Sequence, residues 1–450
     1  MAHLRALWTQ VRGSLWFLPS LIVSACVAMA IVLVDLEGMI EPDTLAAWPR
    51  VFGAGAEGAR GMLTTIAGSM ITVAGVVFSI TMVVLSLTSS QYTSRVLRRF
   101  LEDRSNQLVL GVFVGIYAYC LVVLRTIRGE SQGPFVPSIA ILGAIVLAFL
   151  GIGVLIHFIH HISNGMRASN ILANIASDTF RTIDRLFPTP LESDDDDADE
   201  LAVPSPSQAH WEPICAPATG YLQSVDIDAL SRIGCDHDAI IRIEARIGDF
   251  LIEDRPCAAA HVAQGVDRAS VAGAVRRALV IGSQPSIDED ATFGFRQIVD
   301  VGLKALSPAS NDSTTARMCL DHLSALLIRV VSRKLEGRER DHVGASRVVV
   351  ARPTFSLFLS MTLEELRLAA HDNPPVLAHL IAAVESVASA TLSAARIGTI
   401  ADHLPALADS AAAVTDRSQR IVLTARVEEL RSKLASRAAA LSDPPRARCG

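Results

Sequence analysis

The chain has 450 residues, half of them apolar and only 19% charged, with a formal net charge of −6. A mean hydropathy of +0.38 is too high for an ordinary soluble globule, and the acidic balance gives no case for nucleic acid, whose binders concentrate Lys and Arg. The seven cysteines, at 26, 120, 215, 235, 257, 319 and 449, are odd in number and contain no Cys-x-x-Cys pair, so neither a zinc site nor a disulfide framework is indicated.

The apolar excess lies almost wholly before residue 165. A helix crosses the roughly 30 Å hydrocarbon layer with about 20 apolar residues. Four runs approach or meet that length without a charge: Leu15 to Val34, Met62 to Leu87, Leu108 to Leu124 and Phe135 to Ile156. Backbone groups in lipid are paired internally, so the runs are expected to be helices. The first continues past the signal-like Ala28-Met29-Ala30 through Val34 and reads as a retained anchor.

Lys and Arg in short loops set orientation. The loop after the second run carries Arg95, Arg98, Arg99 and Arg104, whereas the preceding loop is mainly acidic. The expectation is a multi-pass protein of the inner membrane with both termini cytoplasmic. The basic stretch reads as an ordinary flank that meets membrane lipids; an extension selective for anionic headgroups is the alternative.

Within the second run, Thr65, Gly68, Ser69, Thr72, Gly75, Ser79 and Ser86 share one side of a helical wheel, interrupted by Val76 and Val83. Thr65, Thr72, Ser79 and Ser86 repeat every seven residues, a spacing that keeps one seam facing a partner helix. Small residues permit close backbone approach, and hydroxyls can bond across the contact. Two readings stand: a packing seam, inside the bundle or between protomers of a homo-oligomer, or the hydroxyl-lined wall of a passive pore. The four runs lack the intramembrane Asp, Glu, His or Arg that coupled pumps and voltage sensors use. At the end of the fourth run His157, His160 and His161 stand at i, i+3 and i+4. Without Asp, Glu or Cys nearby they read as interfacial rather than as metal ligands.

The strings TIAGSMITVAGVVFSITMVVLSLTSSQYTSRVLRRFLEDR (Thr65 to Arg104), QLVLGVFVGIYAYCLVVLR (Gln107 to Arg125) and IHFIHHI (Ile156 to Ile162), with FGFRQIVDVGLKALSPASNDSTTA (Phe293 to Ala316), resemble domain-of-unknown-function family 2254. Ser313 stands where the family often has Pro. The resemblance implies a multi-span bacterial membrane protein and brings no reaction with it.

Beyond the last span, Asn170 to Phe187 has the period of an amphipathic helix leaving the membrane, so the membrane domain is drawn as 1–187. The Pro- and Ser-bounded run around Asp194 to Asp197 makes 188–210 a solvated linker. Residues 211–263 alternate as strands in a small β-rich module. The Gly-Asp-Phe…Pro-Cys-Ala order there resembles biotinyl and lipoyl carriers, but the stretch contains no lysine, so a carrier role is rejected and no cofactor is expected. Residues 264–441 read as mainly helical and 442–450 as a frayed tail. The expected fold is thus a four-helix membrane domain followed by a cytoplasmic α+β region.

In the helical part, Arg296, Asp300, Lys304, Asn311, Asp312 and Thr314 surround a helix start. They suggest either a pocket for a small anion, since helix N-termini favour negative charge, or a capped turn with surface ion pairs. Gly-x-Ser-x-Gly, Walker and His-Glu-x-x-His motifs are missing from the sequence, so no enzyme activity is expected. The functions left open are a passive pore with a cytoplasmic regulatory part, or a non-transporting sensor or scaffold.

Overall fold

A computed structural model describes residues 16–37, 55–91, 104–128, 135–165, 167–191, 211–262, 265–285, 289–335, 338–339 and 348–442. The chain divides into two compact units, Met1–Asn170 and Ile171–Gly450. Arg95, Arg98 and Arg99, the side chain of Arg104, the Asp194–Asp197 run and the 443–450 tail lie outside the described residues.

Among the described residues the first unit holds four helices: α1 (Phe17–Glu37), α2 (Ala56–Gln91), α3 (Arg104–Thr126) and α4 (Ser138–Gly165). All four are long and apolar enough to cross a bilayer. The helices outrun the expected spans because their ends continue into polar sequence, α2 starting at Ala56 rather than Met62. Central position falls to α3, the shortest expected span: half of its apolar window is buried, against 17–22% in the other three. Gly111 and Gly115 explain why. A Cβ on Gly111 would stand 2.9 Å from the Pro19 backbone and from Ile22 of α1, and one on Gly115 would stand 2.9 Å from the Cys26 sulfur. Two glycines four residues apart therefore let α1 and α3 approach backbone to backbone. Tyr119, fully buried, donates its hydroxyl to the Ala140 carbonyl of α4 at 2.7 Å. Facing outward are Leu21, Val32, Val146, Phe149, Leu150 and Ile156, a belt of large apolar side chains that water would not tolerate and lipid would.

The second unit begins with α5 (Ala168–Leu186). The helix is expected from its sequence within the membrane domain, but all save its first residues belong to the second unit. Thr179 of α5 lies so close to Gly294 that a Cβ there would fall 2.0 Å from its hydroxyl oxygen. Residues 188–191, assigned to the linker, are held in place. Arg333 donates to the Pro188 carbonyl, Leu191 N–H to Ser332 and Lys334 N–H to Thr189; a segment whose backbone groups are paired in this way is ordered whatever its composition.

Two sheets follow. Strands β1 (Glu212–Cys215), β2 (Gly220–Val225), β3 (Ala239–Ile243), β4 (Phe250–Leu251), β5 (Pro256–Val262), β6 (Leu279–Gly282), β7 (Arg338–Glu339) and β8 (Val348–Val350) order as β1-β5-β3-β8-β7 and β4-β2-β6. Helices α6 (Ile227–Asp236) and α7 (Arg268–Ala278) lie between strands in sequence. The β-module is therefore not confined to 211–263. It takes β6 from just beyond, and β8 adds parallel to β3 from over a hundred residues downstream.

The remaining helices are α8 (Ala291–Ala305), α9 (Ser313–Val331), α10 (Phe355–Ala369), α11 (Pro374–Ala390), α12 (Ala394–Ala401), α13 (Leu404–Ala412) and α14 (Arg417–Ser442). Phe295, Ile298, Val299 and Val301 form the buried face of α8, with Phe295 and Phe358 rings 4.9 Å apart. On α9, Cys319, Leu320, Leu323, Leu326 and Leu327 are buried. Buried Arg396 donates to the carbonyls of Val330, Val331 and Arg333, closing the C-terminus of α9 with a cation where a helix leaves acceptors unpaired.

Candidate functional site

The small-residue stripe of α2 is the feature the sequence singled out, and in the single chain it faces away from the bundle. Thr65, Gly68, Ser69, Thr72, Gly75, Ser79 and Ser86 are all exposed. The face turned to the other helices is instead Leu63, Ala67, Met70, Ala74, Val77 and Val84. A seam inside the bundle is thereby corrected: the volume the neighbouring helices need is filled by these apolar side chains, not by the hydroxyls. Because α2 starts at Ala56 rather than Met62, the stripe also gains Gly58 and Gly61. Gly58, Gly61, Thr65, Gly68, Thr72, Gly75 and Ser79 then alternate three and four residues apart, the repeat of a helix seam. A Cβ at Gly58, Gly61, Gly68 or Gly75 would meet nothing within 4 Å. The hydroxyls of Thr65, Ser69 and Thr72 each donate to their own helix at 2.8 Å, to the carbonyls of Gly61, Thr65 and Gly68. Beside the stripe an apolar groove of about 240 Å³ runs between α2 and α4, lined by Val73, Val76, Val77, Ile80, Leu155, Phe158 and Ile159 with Thr72 at its edge.

Polar groups close one end of the bundle. Glu37, buried at the last turn of α1, accepts from the Ser138 and Ile139 N–H groups at 2.5 and 2.9 Å. A carboxylate thus stands on the first N–H groups of α4, the end of the helix dipole that favours an anion. Arg60 of α2 donates to the Ile127 carbonyl just past α3 at 3.0 Å, the matching cation at a C-terminus. At the start of α3 the amide of Asn106, 6% exposed, has no hydrogen-bond partner among the described residues. His157 and His161 stack with ring centroids 6.0 Å apart, and no metal-holding cluster occurs among the described residues.

The cluster at the start of α9 is a capped turn. Asp312 accepts from the N–H groups of Thr314 and Thr315 at 3.0 Å and from the Thr315 hydroxyl at 2.6 Å. That hydroxyl bond holds its carboxyl below the usual carboxylate range. The donors an incoming anion would use are thus already engaged by a charge of its own sign. Asn311 takes a left-handed φ of 43°, tolerable for Asn. Arg296 pairs with Glu365 of α10, while Lys304, Asn311 and Thr314 are exposed and Asp300 is half-buried. The structure brings Asp312 and Thr314 together and sends Arg296 elsewhere.

A second cluster, unread in the sequence, joins α5 to α9. Asp184 receives Arg329 through both carboxylate oxygens at 2.7 and 2.8 Å and Arg333 at 2.9 Å. The Arg329 hydrogen bond pulls its carboxyl below the ordinary range. Partners 145 residues apart carry no local signal.

The family model described as "Predicted membrane protein (DUF2254)" matches residues 12–386. Two mycobacterial relatives, "Uncharacterized protein Rv1290c" of Mycobacterium tuberculosis and "Uncharacterized protein Mb1321c" of Mycobacterium bovis, are each 31% identical over 452 residues, covering 98% of this chain and 84% of theirs. No solved structure matches. Four bilayer-length helices and a match over most of the chain lead to one identification: the protein belongs to the DUF2254 family of predicted membrane proteins.

Proposed function

We propose that the protein is a non-transporting, non-enzymatic membrane scaffold that self-associates through α2 and holds its soluble unit on the cytoplasmic side of the inner membrane. The carrying observation is the exposed three-four repeat of small residues on α2, with open space at each of its glycines. The outward faces of α1 and α4 present Leu, Ile, Val and Phe, as a face toward lipid does. A row of glycine and hydroxyl residues gives lipid little to pack on and gives a second helix close backbone approach. The passive pore is the weaker reading, since the hydroxyls of Thr65, Ser69 and Thr72 spend their protons on their own helix. The basic flank from Arg95 to Arg104 supports the cytoplasmic placement.

The test is single-cysteine scanning of α2 in native membranes, in a background without native cysteines. Oxidative cross-linking between copies is expected at positions 61, 68 and 75 and not at 63, 70 and 77, on the face that α2 turns to its own bundle. Gly68→Leu with Gly75→Leu is expected to abolish it without loss of folded protein. Uniformly absent cross-links, together with a single-chain mass in lipid nanodiscs, would reject self-association; ionic conductance in planar bilayers would reject the non-transporting part.

A further inference from the structure

Asp290 caps α8, its Oδ1 accepting from the Thr292 N–H at 2.8 Å and the Thr292 hydroxyl at 2.5 Å. Unlike the exposed Asp312 cap, it is buried, at 6% exposure. No Lys, Arg or His pairs with it among the described residues. What covers it is a turn of the β-module. Gly248 approaches so closely that a Cβ there would lie 2.3 Å from Oδ2 of Asp290, and its φ of 95° already restricts the position to glycine. The turn is tightly built: Asp249 N–H donates to the Arg246 carbonyl, and the Asp249 carboxylate accepts from the Arg246 N–H at 2.9 Å and faces its guanidinium at 3.4 Å. Strand β2 holds it on both sides, through Gly248 N–H to Leu222 and Leu222 N–H to Asp249. The charged side chains facing Asp290 from the turn are therefore Asp249 and, behind it, Arg246.

We propose that Asp290 is a pH-sensitive latch that sets how firmly the Gly248–Asp249 turn docks on the N-terminus of α8. An ionised carboxylate under that turn is stripped of water and stands beside a second carboxylate; a protonated one suffers neither penalty. Burial, with a smaller push from Asp249, raises the Asp290 carboxyl to about 6, against the opposing bonds from Thr292. In the undocked arrangement it returns to the ordinary carboxylate range. The sign follows. A group whose pKa is raised on docking favours the docked state when protonated, so docking strengthens as pH falls through about 6 and weakens above. With an undocked value near 3.9, linkage makes docking about tenfold more favourable at about pH 5 than at about pH 7.5.

The experiment is hydrogen exchange by mass spectrometry on the full chain in nanodiscs, following amides 246–252 and 289–295, with exchange times scaled for the intrinsic rate. The wild type is expected to open these segments about tenfold less often at the lower pH. Asp290→Asn and Asp290→Ser both keep an N-cap acceptor without the charge, and are expected to hold the segments closed at both pH values. Two uncharged caps guard against one of them failing to fold. A flat wild-type profile would overturn the proposal. So would a pH dependence that persists in either folded variant.

Discussion

Glu37→Ala tests whether one carboxylate holds one end of the membrane bundle. The wild-type side chain satisfies two α4 backbone donors, at 2.5 and 2.9 Å. Their residues, Ser138 and Ile139, are half-buried, so water reaches the freed N–H groups in part. An orphaned buried donor costs about 1–3 kcal/mol and a lost N-terminal cap about 0.5–2 kcal/mol. Taking the lower half of the first range for each of the two half-buried donors, Glu37→Ala is expected to cost about 2–4 kcal/mol. Glu37→Gln retains one acceptor oxygen and loses the charge, and is expected to cost roughly half as much. Asp35 on the same turn is exposed, and Asp35→Ala serves as a control within about 0.5 kcal/mol of wild type. Unfolding by dodecyl sulfate titration in mixed micelles, followed by circular dichroism, reads all three. If Glu37→Ala and Asp35→Ala unfold at the same midpoint, the carboxylate does not carry the end of α4 and the reasoning is refuted.

The same titration checks two further substitutions. Asn106→Leu replaces a buried amide that has no partner among the described residues with an apolar side chain, and is expected to stabilise by about 1–3 kcal/mol; destabilisation would mean that the amide binds another group. Gly111→Ala drives a Cβ into the Pro19 backbone, so overpacking of about 1–3 kcal/mol outweighs the roughly 1 kcal/mol of helix propensity gained. Gly75→Ala, with nothing in reach, should keep only the gain in the monomer. Equal effects at the two glycines would contradict the assigned faces of α2 and α3.

The four spans were legible in the sequence because lipid demands long uncharged runs whatever the neighbours are. Helix starts at Asp290, Asp312, Thr354, Asn373 and Ser393 were open to the same reading, since a cap bonds N–H groups two or three residues away and leaves its mark locally. The candidate site was legible only as a stripe. Periodicity places Thr65 to Ser86 on one side of a helix, but which side meets the bundle depends on α3 and α4, and the answer was the opposite face. The Gly111–Gly115 contact is spelled out in five residues, yet is not distinguishable from other glycines until α1 lies against it.

Local chemistry alone therefore determined that this chain carries bilayer-length apolar helices and that the region after them mixes strands with helices. Tertiary structure decided the rest: that Glu37 closes α4 from a hundred residues away, that Asp184 gathers Arg329 and Arg333, that β8 completes a sheet begun at β3, and that a turn glycine covers Asp290. Each is a meeting of distant segments, and sequence period and composition report only on neighbours within a turn or two of the chain.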